Sequence, residues 1–307
     1  EDAKRKEAED KKKQDAPEQT KKTGEEMKQS PPPKVSLFER FLLLSSRIRR
    51  FVHRILHPQP DSQIIPKRRR PFERRQKAAG EQADPKKEDR DRFVLSKGHT
   101  CPALYAALAL KGFFPWDELK KFRHPGAMLQ GHPDMKHIPG IDMSTGSLGQ
   151  GFSAACGMAL AAKLEQKDYR VYAVCGDGEI QEGQIWEAAM FAGHRKLDNL
   201  CLIVDNNGLQ IDGRVGEICS PYPIAEKFAA FGFHTIEVDG HDFEALAAAF
   251  DEAKQTKGKP TAIIAKTIKG KDVSFMSDNV AWHGAAPNED QYKTAVADIE
   301  RVLSGLE

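Results

Sequence analysis

An α/β fold, one parallel sheet with helices on both faces, is the class this sequence predicts, and three observations predict it. Short runs apolar at nearly every position lie at 169–175, 200–205, 234–238 and 261–267, as expected of strands covered on both faces. Stretches with helical periodicity lie around and between them, at 148–163, 183–195, 224–231, 243–256 and 289–303, the last opened by Asn288 as a cap. Strand alternating with helix implies right-handed crossovers and a parallel sheet, whose ligands sit beyond the carboxyl ends of the strands.

The segment before this pattern has a different texture. Residues 1–84 carry 22 Lys/Arg and 14 Asp/Glu, a net of +8; with totals of 47 and 45, residues 85–307 carry 25 and 31, a net of −6. Residues 1–34 are rich in Lys, Glu and Gln and end in PPPK. They cannot bury enough apolar area to offset chain entropy, so disorder is expected. In residues 35–56, Leu37, Phe41, Leu44, Ile48, Phe51 and Ile55 recur at three- and four-residue steps, with Arg40, Arg47, Arg50 and Arg54 largely elsewhere on the wheel. This predicts a basic amphipathic helix, compatible with a membrane surface or partner or with packing on the chain's own domain. Residues 57–84, with KRRR and ERR, read as a basic linker. No nucleic-acid partner is expected, since no reading motif accompanies the charge. The division predicted is therefore a basic extension over 1–84 and an α/β domain over 85–307.

Five cysteines without a C-x-x-C pair favour reduced, buried thiols and a cytoplasmic setting. No run approaches the roughly 20 apolar residues needed to span a bilayer.

Two strand ends carry the chemistry. The run 169–175 exits into Gly176-Asp177-Gly178, and 200–205 exits into Asn206-Asn207-Gly208. Asp177 and Asn207 are thirty residues apart, about one strand–helix–strand unit, so both can reach one sheet edge. A carboxylate plus an amide oxygen is a hard-oxygen pair suited to Mg²⁺ or Ca²⁺ and not to zinc. So few protein ligands imply a phosphorylated partner, which Gly176 and Gly178 would let the backbone approach, with the helix from Gly183 adding its positive end. Each motif alone is an ordinary turn sequence; together, at adjacent strand ends, they indicate a site. The third position after Gly178 is Gln181, so G-x-G-x-x-G fails, and no G-x-x-x-x-G-K-[ST] loop exists.

Histidines form a second group. His99 in SKGHT, His132 in QGHPD and His283 in WHGAAP each sit beside Gly or Pro, where an imidazole can approach an anion or move a proton near neutral pH. Spacing does not show whether they converge. A third feature, MSTGSLGQG at 143–151, is a Gly-rich turn entering a small-residue helix.

The stretches DRDRFVLSKGHTCPALYAALA, LQGHPDMKHIPGIDMSTGSLGQG, GDGEIQEGQIWEAAMFAGHRKLDNL, VDNNGLQIDG and WHGAAPNED resemble the amino-terminal, diphosphate-binding section of transketolase, most closely the small subunit of the two-gene form. The resemblance implies the thiamine-diphosphate-binding fold of the diphosphate (PP) type, with thiamine diphosphate and Mg²⁺ or Ca²⁺. It implies Asp177, Asn207 and the Leu209 carbonyl as metal ligands, and Gly178, His99 and His283 at the diphosphate. It places Gly146, Ser147 and Leu148 at the aminopyrimidine, Ile211 near the thiazolium and His132 at the sugar hydroxyls. Glu182 would belong to a carboxylate relay between active sites at a dimer interface. The implied reaction moves a two-carbon ketol unit between sugar phosphates, the cofactor supplying the nucleophile.

The resemblance has two gaps. Residues 1–84 contain nothing like the family's SGHPGG-type segment; ILHPQPD comes nearest and lacks both glycines. That stretch reads equally as a replaced start or as coding sequence in another frame. The chain also ends before a pyrimidine-binding domain with its glutamate, so a carboxy-terminal transketolase subunit is the expected partner, as a dimer of such pairs, with no turnover by this chain alone. Deoxyxylulose-phosphate synthase and the α chain of 2-oxo acid dehydrogenases share the GDG…N logic, but LSKGHT…QGHPD…WHG favours transketolase. A reading of another class is a non-catalytic regulatory or scaffold module that contacts partners through its basic arm.

Overall fold

The computed structural model describes residues 84–305; the readings of 1–34 as disordered, 35–56 as an amphipathic helix and most of the basic linker lie outside them. The short runs pair into one five-stranded, all-parallel sheet in the order β1-β2-β3-β7-β6, from β1 (Arg92–Leu95), β2 (Val171–Gly176), β3 (Leu200–Asn206), β6 (His234–Asp239) and β7 (Thr261–Lys266). A two-stranded hairpin, β4 (Leu209–Gln210) and β5 (Gly213–Arg214), follows β3. The helices are α1 (Cys101–Leu110), α2 (Gln150–Leu164), α3 (Gly183–His194), α4 (Val215–Ile218), α5 (Ile224–Ala230), α6 (Phe243–Gln255) and α7 (Glu289–Ser304).

Alternate strand residues serve opposite faces, as the two-residue period demands. Val171, Ala173, Cys175, Leu200, Leu202, Val204 and Ile264 pack against α2, α3 and α5, where Trp186 meets Phe228 and Phe231. Tyr172, Cys201, Ile203, Ile263 and Ala265 pack against Leu246, Ala249, Phe250 and Ala253 of α6. A separate core joins Tyr105 and Leu108 of α1 to Leu119, Leu129 and Ile138. Asn288 caps α7 in a reciprocal box with Gln291, each pairing with the other's backbone at 2.9 Å.

Predicted elements shift by one or two residues at their ends, the usual fraying of boundaries. Two differences have physical causes. β6, expected to be covered on both faces, is an edge strand whose residues are half-buried or exposed. β1 and α1 went unpredicted: β1 is only four residues long behind a charged DRD, and α1 begins at Cys101-Pro102 with little amphipathic pattern. Four cysteines are buried and Cys219 is exposed, all as free thiols. Among the described residues no helix is long and apolar enough to cross a membrane.

Close approach of α3 to the α5–β6 connection needs Gly193, where a Cβ would lie 1.7 Å from the Phe231 carbonyl oxygen. Gly193→Ala should destabilise the chain by about 1–3 kcal/mol. Gly157→Ala, in α2 with nothing within 4 Å of an added Cβ, should stabilise it by about 0.5–1 kcal/mol. Chemical denaturation of both variants checks this, and equal midpoints would refute the packing argument.

Candidate functional site

The parallel register Gly176↔Asp205 aligns the tips of β2 and β3, and the Asp177 N–H donates to the Asp205 carbonyl at 3.1 Å. Asp177, 1% exposed, accepts the Gly178 N–H at 2.9 Å through one carboxylate oxygen and the Gly208 N–H at 2.5 Å through the other. One carboxylate thus spans both strand ends. Burial pushes it up to about 6, with the neighbouring Asp205 charge adding to the rise and the two N–H donors opposing it. Asn207 closes a local turn, its Oδ1 accepting the Leu209 N–H at 3.1 Å, which seats the buried Leu209 beside it.

Asp205 has a different environment. Burial works against its charge, yet Lys97 pairs with one oxygen and Thr267 with the other, leaving it below the ordinary carboxylate range. This triad joins the ends of β1, β3 and β7. Glu179 joins a further set: one oxygen accepts Ser96 Oγ at 2.5 Å and the Gly149 N–H at 3.0 Å, the other the Gly176 N–H at 3.1 Å. It is 3% exposed, and burial raises its pKa despite those donors. Ser96 Oγ in turn accepts the Phe152 N–H at 3.1 Å, and Thr145 Oγ1 donates to the Leu95 carbonyl at 2.7 Å. The Gly-rich turn 143–151 is thereby fastened to β1 and β2. Gly149 there has φ +82°, a left-handed backbone that favours glycine.

The three histidines converge. The His99 and His283 rings stack with centroids 5.5 Å apart, and both line, with His132, Arg123, Gly131 and Gly284, a cavity of about 280 Å³. α1 places His132: Tyr105 Oη lies 2.9 Å from the Gln130 carbonyl and 2.8 Å from that of His132, and Cys101 Sγ lies 3.1 Å from that of Gly131. Gly146 brings the Gly-rich turn to the same wall, where an added Cβ would meet the His132 ring at 3.3 Å. Partial burial, then the charges of Lys97, His283, Lys269 and His132, push His99 down to about 4. Burial, then the Lys269 charge, lowers the His283 pKa as well. Lys269 Nζ lies 3.1 Å from His283 Nδ1, and burial with Lys97 nearby lowers its pKa too.

Of the remaining predicted residues, Ser147 is exposed and Leu148 half-buried in the Gly-rich turn. Ile211, 66% exposed, sits in the β4–β5 hairpin. Glu182 is exposed at the N-cap of α3 with no side-chain cap bond. The Gly176 and Gly178 N–H groups donate to the buried Glu179 and Asp177 carboxylates. α3 begins at Gly183 as expected, after a 3₁₀ turn at Glu179–Gln181. Sequence reasoning missed Glu179, Lys97, Lys269 and Arg123. Only Glu179, an acid inside a run ending in an apolar residue, GDGEI, carried a local signal.

The donor set fits a metal–diphosphate pair. Asp177 has no Lys or Arg paired to it among the described residues, so a buried acid lacks a cation. Lys269 has no carboxylate partner among them, and the buried Gln210 Nε2, whose side chain packs on Gly178, has no acceptor. No group of three His, Cys, Asp or Glu forms a metal cage among the described residues.

Residues 72–299 match the family described as "Transketolase, thiamine diphosphate binding domain". The chain belongs to that family. It is 52% identical over 213 residues to the 6-deoxy-6-sulfo-D-fructose transketolase subunit of Clostridium sp. strain MSTE9, covering 69% of this chain and 78% of that protein. It is 42% identical to one of the subunits of the apulose-4-phosphate transketolase of Phocaeicola vulgatus, covering 73% and 79%. Against the transketolase of Mus musculus, 48% identity covers 70% of this chain and only 34% of the mouse protein. The solved transketolase of Campylobacter jejuni superposes with a TM-score of 0.67 at 37% identity, over 71% of this chain and 36% of that one. The chain thus spans most of the subunit relatives and about a third of the longer transketolases.

Two outcomes are expected. Glu179→Ala strands three donors and should cost about 3 kcal/mol in urea unfolding; an unchanged midpoint would contradict the network. The His99 ring should titrate near pH 4 by NMR, and a midpoint above 6 would refute its environment. An unfolded His99 binds its proton near pH 6.5 and the folded one only near 4, so this residue's contribution to stability falls as pH drops through that window.

Proposed function

We propose that this chain is the thiamine-diphosphate-binding subunit of a two-chain transketolase, transferring a two-carbon ketol group between sugar phosphates in the cytoplasm with Mg²⁺ or Ca²⁺. The observation that carries the reading is the single buried carboxylate of Asp177 spanning the tips of β2 and β3 without a paired Lys or Arg. Asp177, Asn207 and the Leu209 carbonyl hold the cation. Gln210 and Gly178 lie beside the diphosphate, with His99, His283 and Lys269 directing hydrogen bonds to it. When bound, the cofactor supplies the carbon nucleophile and electron sink that the side chains lack.

The protein's own groups bind, orient and move protons. Gly146, Ser147 and Leu148 border the aminopyrimidine, and Ile211 packs near the thiazolium. His99 is neutral near pH 7, so it can take a proton from a hydroxyl or donate a neutral hydrogen bond without adding charge. His132, fixed through its backbone by Tyr105, meets the sugar hydroxyls. Glu182 is exposed as a residue shared across an interface must be in the single chain. The partner is a carboxy-terminal transketolase subunit bringing a pyrimidine-binding domain, with two such pairs forming the assembly. The two relatives, each named as a subunit of a transketolase, support the existence of a partner subunit.

Mixing the purified chain with a matching carboxy-terminal subunit, Mg²⁺ and thiamine diphosphate should give ketol transfer that neither chain shows alone; no added activity would remove the enzymatic reading. Calorimetry on the same pair should show cofactor binding that requires the cation and weakens at least about a hundredfold in Asp177→Ala, a loss on the scale of removing one partner of a buried charge contact. Binding unaffected by that substitution would remove the metal assignment.

A further inference from the structure

The chain leaving β7 carries two residues of the site: Thr267, which bonds Asp205, and Lys269, which meets the His283 ring. The connection from β6 into α6 is pressed against that stretch. The Gly240 N–H donates to the Lys266 carbonyl at 2.7 Å, and a Cβ on Gly240 would lie 2.4 Å from Thr267 Cγ2. One residue on, the half-buried His241 accepts the Ile268 N–H at 2.8 Å through Nε2. The His241 backbone is itself fixed, its N–H donating to Asp239 Oδ1 at 2.8 Å. Asp242 after it caps α6, accepting the Glu244 and Ala245 N–H groups at 2.9 and 3.1 Å. A side chain seated between a strand end and a helix cap thus holds the backbone donor that lies between Thr267 and Lys269.

A backbone N–H can only donate, so the Ile268 contact defines the state of the imidazole. Nε2 must carry a lone pair, with the ring neutral and its proton on Nδ1. A protonated ring would set N–H against N–H and lose the bond. Ile268 is 46% exposed, so water can then take its amide, and the fold survives while the turn loosens. Within the turn, the Lys271 N–H donates to the Ile268 carbonyl at 3.2 Å and the Asp278 N–H to the Lys269 carbonyl at 2.9 Å. Those bonds shape the turn internally; His241 ties it to the β6 edge of the sheet. The charges facing the ring are Lys271 and Asp272 of the stretch after β7, Asp239 at the end of β6 and Asp205 of β3. Burial, then Lys271, lowers the His241 pKa from 6.5, and the three carboxylates oppose that. The hold is therefore complete above the ordinary value of 6.5 and is lost as the pH falls through the lowered one.

We propose that His241 is a positioning residue: as a neutral acceptor it fixes the turn 267–269, and with it the Lys269 side chain against the His283 ring, and its protonation releases that turn. The proposal deepens the reading of Lys269 and His283 as contacts of a diphosphate and rests on it for the ligand, while the hold on the turn stands by itself.

The first test uses the full chain alone. Ring nitrogen shifts by NMR should show the His241 proton on Nδ1 at pH 7.5, and the Ile268 amide should be protected from solvent exchange. His241→Ala should lose that protection. His241→Gln, whose side-chain oxygen can stand where Nε2 lies and does not titrate, should keep it. The second test measures binding of thiamine diphosphate with Mg²⁺ by calorimetry on the chain paired with its carboxy-terminal subunit. At pH 7.5 the affinity should fall at least about fivefold in His241→Ala and stay within about twofold in His241→Gln. The ratio of wild-type to His241→Gln affinity should fall at least about twofold between pH 7.5 and 5, a comparison in which Asp177 and every other titrating group common to both cancels. A proton on Nε2, an Ile268 amide as protected in His241→Ala as in the wild type, equal losses of affinity in the two variants, or a ratio that does not change with pH would overturn the proposal. A wild-type pair that binds no cofactor would remove the diphosphate reading, while the tautomer and amide measurements still decide whether His241 holds the turn.

Discussion

Asp177 is buried where water cannot solvate it, and the N–H groups that hold it come from its own turn and from the tip of the neighbouring strand. Such an acid is tolerable only if a cation completes its environment or it keeps its proton, and its pKa, raised to about 6, expresses that tension. The position follows from the sheet. Parallel pairing of β2 with β3 in this register makes Asp177 follow one strand end while Gly208 follows the other; a one-residue slip would send the carboxylate to the opposite face. Register, more than any single contact, determines whether the site exists.

The other acids nearby differ because their oxygens are already committed. Asp205 is neutralised by Lys97 and bonded by Thr267; Glu179 accepts three donors and acts as a fastener between β1, β2 and the Gly-rich turn. Three carboxylates within a few residues of the strand tips therefore have distinct electrostatic fates set by their donors. In the cavity beside them, burial and neighbouring cations favour the neutral form of His99 and His283, so hydrogen bonding rather than charge governs what that pair can do.

What was legible from residues alone was whatever repeats locally. The strand and helix runs announced themselves by period, Asn288 by its place before a helical run, and the placement of Asp177 and Asn207 at adjacent strand ends by a thirty-residue step that matches one strand–helix–strand unit. β1 was invisible because four residues carry too little pattern, and the edge position of β6 because order across a sheet is not written along the chain. Lys97 and Lys269 looked like any surface lysine. Their meaning comes from Asp205, 108 residues after Lys97, and from the His283 ring. The meeting of His99, His132 and His283 likewise depends on α1 clamping one loop and on the stretch after β7 returning across the strand tips.

The fasteners of the site are nearly all long in sequence: Ser96 to Glu179 spans 83 residues, Lys97 to Asp205 108, and Thr267 to Asp205 62. Loop-closure entropy must be overcome before any of them forms, and chains dominated by such separations reach the native state slowly. No short excised peptide from this region holds both partners of these bonds, so the pocket needs the assembled sheet. A molecule that binds there engages only the finished sheet, so by mass action its concentration also sets how much of the chain stays folded.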